Sequence, residues 1–218
     1  MMSDLLAKIL TEIIVALPWT LAMTGLSFAF GALFAIPLCG LRTAHNPILR
    51  NCALSLILTF RSIPPIVWLF LIFFGVGSDL IPLSPFVSAV IGLGLITAAN
   101  VAEIYRGALK AVPAGQYEAA RALGLPALLQ YHDVLIPQIF RLALPSLATY
   151  AIGLLKDTAV ASTIGVHDLA FSAYRVSQET FRGIEVYAAF GLVYFLISLA
   201  MAYATRGLDR RLRERISR

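Results

Sequence analysis

GQYEAARALGL, residues 115–125, is a short polar run set between stretches apolar enough to lie in lipid. Pro113 just ahead of it suits the first turn of a helix, where a missing N–H leaves nothing unpaired. Gly124 followed by Pro126 is a stop signal. The spacing predicts a helix over about 113–125, too short to be stable alone in water and so in need of neighbours. Tyr117, Ala120 and Gly124 fall on one side at i, i+3 and i+7, while Glu118 and Arg121 point elsewhere. Small residues on one face permit close approach, and the charged pair offers polar contacts. Periodicity alone leaves open whether that partner is the chain's own bundle or another protein.

The flanks settle the environment. The chain has 218 residues, 59% hydrophobic and only 13% charged, with a mean hydropathy of +0.83. A soluble domain carries about a quarter charged residues. The apolar residues form long runs, which predicts an all-α polytopic membrane bundle in one domain, 1–218. About 20 apolar residues cross the roughly 30 Å hydrocarbon layer as a helix. Five such spans are expected, at about 13–41, 53–75, 86–104, 134–155 and 186–204. The first exceeds what a crossing needs and is expected to tilt or project. The apolar run of the fourth, about 140–155, is short for a crossing, so the span is expected to begin earlier, near Val134, with bends at Pro137 and Pro145. Pro37, Pro64 and Pro65 are expected to bend the first two spans.

Loop charges orient the bundle. Arg42, His45 and Arg50 follow span one, and Arg106, Lys110 and Arg121 follow span three. Six arginines, Arg206, Arg210, Arg211, Arg213, Arg215 and Arg218, follow span five. The loop after span two, GVGSDLIPLSP, has no lysine or arginine, and the loop after span four is mixed in sign. The positive-inside rule places the N-terminus outside and the C-terminus in the cytoplasm, with the spans in contact with membrane lipid. Residues 113–125 then lie in the cytoplasm. The net charge of +5 is explained by these flanks, and no aromatic residues interleave with the arginine tail, so nucleic acid is not an expected partner. Cys39 and Cys52 read as small apolar packers, and the three histidines have no metal-ligand spacing, so no metal is expected.

The polar run resembles the EAA motif of the permease subunits of binding-protein-dependent ABC importers. That pattern is Glu-Ala-Ala, three residues, Gly, nine residues, then Ile-x-Leu-Pro. Here it is Glu118-Ala119-Ala120, Gly124, then Val134-Leu135-Ile136-Pro137. Ala102-Glu103-Ile104-Tyr105-Arg106-Gly107-Ala108, Val112-Pro113 and Gly115-Gln116 are similar to the subfamily that imports polar amino acids. So are LIPQIFRLALPSL, LLKDTAVASTIGV and TLAMTGLSFAFGALFAIPL. The resemblance covers most of 19–168. Arg61-Ser62-Ile63-Pro64 stands where the subfamily usually has Arg-Gly-Thr-Pro, and Asn100 where a tyrosine is common.

The resemblance implies that 113–125 is a coupling helix seated in a cleft of a cytoplasmic ATPase, through Gly115, Gln116, Tyr117, Glu118, Ala119, Ala120, Arg121 and Gly124. It also implies two ATPase subunits holding ATP and Mg, a second permease chain, alike or different, an extracytoplasmic solute-binding protein, and an amino acid as solute. The chain itself has no Gly-x-x-x-x-Gly-Lys-Ser/Thr phosphate cradle. No cofactor and no catalytic residue are assigned to it.

Polar residues within the spans are the candidates for solute contact. A lone arginine at a helix centre costs about 2.5–3.5 kcal/mol on the insertion scale, so Arg61, near the middle of span two, should face protein or water. Its fork suits a carboxylate, and Asp157 or Glu103 suits an α-ammonium. Asn100 is a weaker candidate of the same kind. The competing reading is that these groups satisfy one another, for example Arg61 with Glu103. The competing function is an autonomous secondary transporter or channel, which would show inverted sequence repeats or discontinuous spans around a midplane site; no repeat is visible. A membrane enzyme would need paired acidic, His or Ser/Lys groups at matching depth, and these are missing.

Overall fold

The computed structural model describes residues 2–77 and 82–214, and the described residues form helices joined by short links, with no strand among them. Residues 78–81, in the loop after the second span, and Arg215 and Arg218 of the arginine tail lie outside the described residues. Among the described residues four helices are long and apolar enough to cross a membrane, and a bent pair that passes the same test together brings the number to five if it is one span.

α1 is Met2–Arg42, about 60 Å at 1.5 Å per residue. It begins well before residue 13, and the reason is another helix. α7, Leu169–Thr180, lies in what reads from sequence as a mixed-charge loop. It runs along the first half of α1, with a Lys8–Glu179 ion pair at 2.5 Å and an Arg175–Glu12 pair. Leu5, Ile9 and Ala16 of α1 bury against Leu169, Ala173 and Val176 of α7 and Val186 and Phe190 of α8, Gly183–Glu214. The extra length of α1 is thus a docking surface for α7.

The second expected span is broken. α2, Pro47–Ser62, and α3, Pro65–Phe70 with a wide π-type continuation Leu71–Val76, meet at 100°. Pro64 and Pro65 cause the break: neither supplies an N–H, and each pushes the residue before it out of helical geometry. Ile63 accordingly has φ −94° and ψ 132°.

α4, Pro85–Ala111, is capped by Ser84, whose hydroxyl accepts from the Val87 amide at 3.3 Å. It is the hub. Its most apolar 18-residue window is 61% buried, against 11% for α8. α4 packs most extensively on α1, and small residues set the distance between them. A Cβ on Gly31 would stand 2.4 Å from the Thr97 side chain, and one on Gly94 2.4 Å from Phe30. Without a hydrophobic driving force between helices in lipid, such close backbone approach is a main source of packing energy.

The polar run forms α5, Ala114–Ala122. α6, Ala127–Ile164, starts before residue 134 and ends after 155. It opens with one turn, widens into a π-type segment over Gln130–Leu135, becomes regular over Ile136–Asp157, and tightens to a 3₁₀ turn over Thr158–Ile164. Pro137 sits in the first turn of the regular part, where its ring is tolerated. Exposed Leu6, Ile14, Leu33, Phe195 and Tyr203 would be a liability in water and suit lipid or a partner chain.

Candidate functional site

α5 is held from both ends. Pro113 is its N-cap, one place ahead of the expected first turn, with φ −58° and ψ 136°. At the other end Gly124 takes φ +67°. The Gly124 amide donates to the Arg121 carbonyl at 2.9 Å and the Leu125 amide to the Ala120 carbonyl at 3.2 Å, a Schellman closure that requires the left-handed glycine. Ala120 is buried, Tyr117 is half-buried, and burial pushes its phenol up. Gly115, Gln116, Glu118, Ala119 and Arg121 are exposed. The helix therefore has one face on its own bundle and a charged face open to solvent, and Gly124 itself is exposed beside the turn it makes.

The inner face rests on the wide segment of α6, and side chains reinforce it. Gln138 Nε2 donates to Gln116 Oε1 at 3.1 Å, and Gln130 Nε2 donates to the Leu125 carbonyl at 2.6 Å.

The four polar residues picked from the spans divide. Arg61 is not inside a continuous span. It stands exposed in the last turn of α2, beside the break, where a cation complements the helix C-terminus. Asn100 lies one helix away on α4, its amide donating to the Ile96 carbonyl at 2.9 Å. Asp157 is exposed at the end of the regular part of α6. Tyr150 of α6 stands beside Asn100: its hydroxyl donates to Thr97 Oγ1 at 3.2 Å and also meets Asn100. Sequence reasoning passed over Tyr150, although it precedes Asp157 by two helical turns on one face of α6.

Glu103 belongs elsewhere. Arg106 Nε donates to its two oxygens at 3.0 and 2.9 Å, and Arg42 Nε approaches at 3.4 Å. The expected Arg61–Glu103 pair is not the one formed: Glu103 ties the end of α1 to α4.

A second buried polar cluster was not foreseen. Asp168 is fully buried and caps α7 by accepting from the Phe171 amide at 2.9 Å; Tyr194 Oη is 3.5 Å away. The neighbouring Leu169 amide donates to Thr20 Oγ1 at 3.0 Å. Burial raises the Asp168 carboxyl to about 6, against the pull of its amide hydrogen bonds. The signal available in the sequence was the Asp just ahead of an amphipathic run, a plain N-cap pattern.

The architecture is shared with solved transporters. A structure described as an amino acid ABC transporter with histidines superposes with a TM-score of 0.84 at 30% identity, covering 96% of each chain. The MetNI methionine ABC transporter in an inward-facing conformation has the same fold, with a TM-score of 0.80 at 22% identity. Among curated proteins, the arginine ABC transporter permease protein ArtQ of Haemophilus influenzae is 32% identical, over 97% of this chain and 96% of its own. The L-cystine transport system permease protein TcyL of Bacillus subtilis is 32% identical over 93% and 87%. The nopaline transport system permease protein NocM of Agrobacterium fabrum is 30% identical over 91% and 87%. The family model for the binding-protein-dependent transport system inner membrane component matches residues 27–214, and with a short anchored helix between its apolar spans this chain belongs to that family.

Proposed function

We propose that this chain is the permease subunit of an ATP-driven importer for amino acids or amino-acid-like zwitterions. It takes solute from an extracytoplasmic binding protein and releases it to the cytoplasm. The observation that carries the reading is α5: a nine-residue helix fixed to its own bundle on one face, with Glu118 and Arg121 presented outward on the other. A helix this short is not stable alone, and one so thoroughly anchored suits a rigid contact with another protein. That protein is a cytoplasmic ATPase, which holds the ATP and Mg that this chain has no cradle for. Two ATPase subunits and a second permease chain, alike or different, complete the assembly.

The relatives named for arginine, cystine and nopaline transport carry solutes with an α-carboxylate and an α-ammonium. Arg61, Asn100, Asp157 and Tyr150 offer the matching chemistry: a guanidinium for the carboxylate, a carboxylate for the ammonium, and neutral donors between. Glu103, already engaged by two arginines, is a weaker contributor than its sequence position suggests. Nucleotide binding closes the ATPases, the coupling helices move with them, and the bundle switches which side it opens to. This is ligand-biased switching between two states. The N-terminus lies outside and the C-terminus in the cytoplasm.

Affinity purification from the native membrane tests the reading. A nucleotide-hydrolysing subunit is expected to co-purify with the wild-type chain and to be lost with Glu118→Arg. Retention of that subunit by Glu118→Arg, or gradient-driven uptake by the purified chain alone, would refute it.

A further inference from the structure

We infer that Gln138 is a positioning residue for coupling: its hydrogen bond to Gln116 fastens α5 to α6, so that displacement of α5 enters the membrane through α6. The inference rests on the reading of α5 as the contact with an ATPase.

α5 follows α4 in sequence, separated only by Val112 and Pro113, and transmission up α4 would be the simplest path. The bonding points the other way. The link to α4 is a proline-containing bend with a single backbone bond, Val112 amide to Leu109 carbonyl at 3.4 Å. On the α6 side two side-chain bonds reach α5 and its closing turn. Gln130 Nε2 holds the Leu125 carbonyl at 2.6 Å, and Gln138 Nε2 reaches Gln116 Oε1 at 3.1 Å.

Their placement matters more than their number. Gln116 is in the first turn of α5, and Leu125 lies just past its last, so α6 holds α5 near both ends. Two anchors fix orientation as well as position, whereas one would leave a pivot. Gln130 opens the wide segment Gln130–Leu135, and Gln138 stands beyond it, in the α-helical part that runs on to Asp157. The Gln116–Gln138 bond therefore bypasses the π-type turn and joins α5 directly to the α-helical part of α6. From Gln138 to Asp157 is about 28 Å at 1.5 Å per residue, most of a bilayer's hydrocarbon depth. Along the way Tyr150 ties α6 to α4.

Both glutamines are neutral and within reach of solvent, so the bond adds little to folding. Its expected effect lies in how motion is divided. The test uses the full transporter in proteoliposomes, with uptake of radiolabelled solute and ATP hydrolysis measured together. Gln138→Leu is expected to lower uptake per ATP hydrolysed at least three-fold while the ATPase co-purifies in wild-type amount. Gln116→Leu combined with Gln138→Leu is expected to be no worse coupled than the poorer single variant. The pair Gln116→Glu with Gln138→Lys, which replaces the hydrogen bond by an ion pair, is expected to recover coupling; Gln138→Lys alone is not. Unchanged uptake per ATP in Gln138→Leu, or independent multiplicative losses in the double variant, overturns the inference and leaves the permease reading standing. Failure of any ATPase to join the wild-type chain overturns both.

Discussion

Gly31→Ala is the sharpest perturbation of the bundle, because the structure supplies both its cost and its control. The new methyl would stand 2.4 Å from Thr97 Cβ and Cγ2 and 2.8 Å from the Gly94 carbonyl oxygen. Thr97 can turn its hydroxyl and methyl away, but its Cβ is fixed to the backbone, and the Gly94 carbonyl is itself backbone. Relief requires α1 and α4 to move apart along the most extensive helix contact in the molecule. Overpacking of this kind costs about 1–3 kcal/mol. Gly25 lies on the same helix, and a Cβ there meets nothing within 4 Å, so Gly25→Ala should gain up to about 1 kcal/mol of helix propensity. Helix propensity favours alanine at both positions, so the two variants, identical in chemistry and six residues apart, should differ by the overpacking cost, about 1–3 kcal/mol. Unfolding of the purified chain in mixed micelles of increasing SDS fraction, followed by circular dichroism, reads the difference directly. Gly31→Ala should unfold at a clearly lower SDS fraction than wild type, and Gly25→Ala at the same or a higher one. Equal midpoints for the two would refute the close approach of α1 and α4.

Asp168→Asn should flatten the pH dependence of stability. The folded carboxyl is raised to about 6 above the 3.8 of an exposed aspartate, so the folded state binds more protons between those values. Its stabilising contribution is complete below about 4 and is lost as pH rises through about 6, a difference of up to about 3 kcal/mol. Asparagine caps a helix as well as aspartate does, so thermal melts of the variant between pH 4.5 and 8 should show less slope and no loss at neutral pH. Tyr150→Phe should keep the fold and the ATPase. By removing about 1 kcal/mol of hydrogen bonding at the meeting point of Asn100 and Thr97, it should raise the concentration for half-maximal uptake several-fold; an unchanged value in a solute titration counts against the site.

Most of the membrane architecture was legible because it rests on run length and on signals carried by single residues. Pro113, Gly124 and Pro126 bracketed α5 to within a few residues, and the left-handed turn at Gly124 is the reason such a glycine is there. What escaped depended on contacts distant in sequence. α7 carries charges on an amphipathic face, and nothing local says whether that face meets water or α1; only Lys8, Glu12 and Thr20, some 150 residues away, decide it. The break at Ile63–Pro64 was half visible. Two adjacent prolines promised a bend, but its 100° depends on α3 packing against α4. The surroundings of Glu103 were hidden for a related reason. Its i, i+3 partner Arg106 was in plain sight, but the depth at which the pair sits, and the approach of Arg42, belong to tertiary structure.

The candidate residues share one structural circumstance. Arg61 flanks the non-helical backbone at Ile63 and Pro64, Asp157 stands where α6 tightens into a 3₁₀ turn, and α5 rests on the widened turn Gln130–Leu135. In lipid, every departure from regular α-helix frees backbone groups that need partners, and such departures persist only where protein or water supplies them. Charged side chains at membrane depth obey the same condition. The two coincide at Arg61 and again at Asp157. The irregularity under α5 differs in kind. It lies at the polar end of α6, where α5 seats, and the Gln116–Gln138 bond bridges it to the α-helical part beyond. A straight, regular α6 would have served packing equally well and left neither a place to grip nor a place to open.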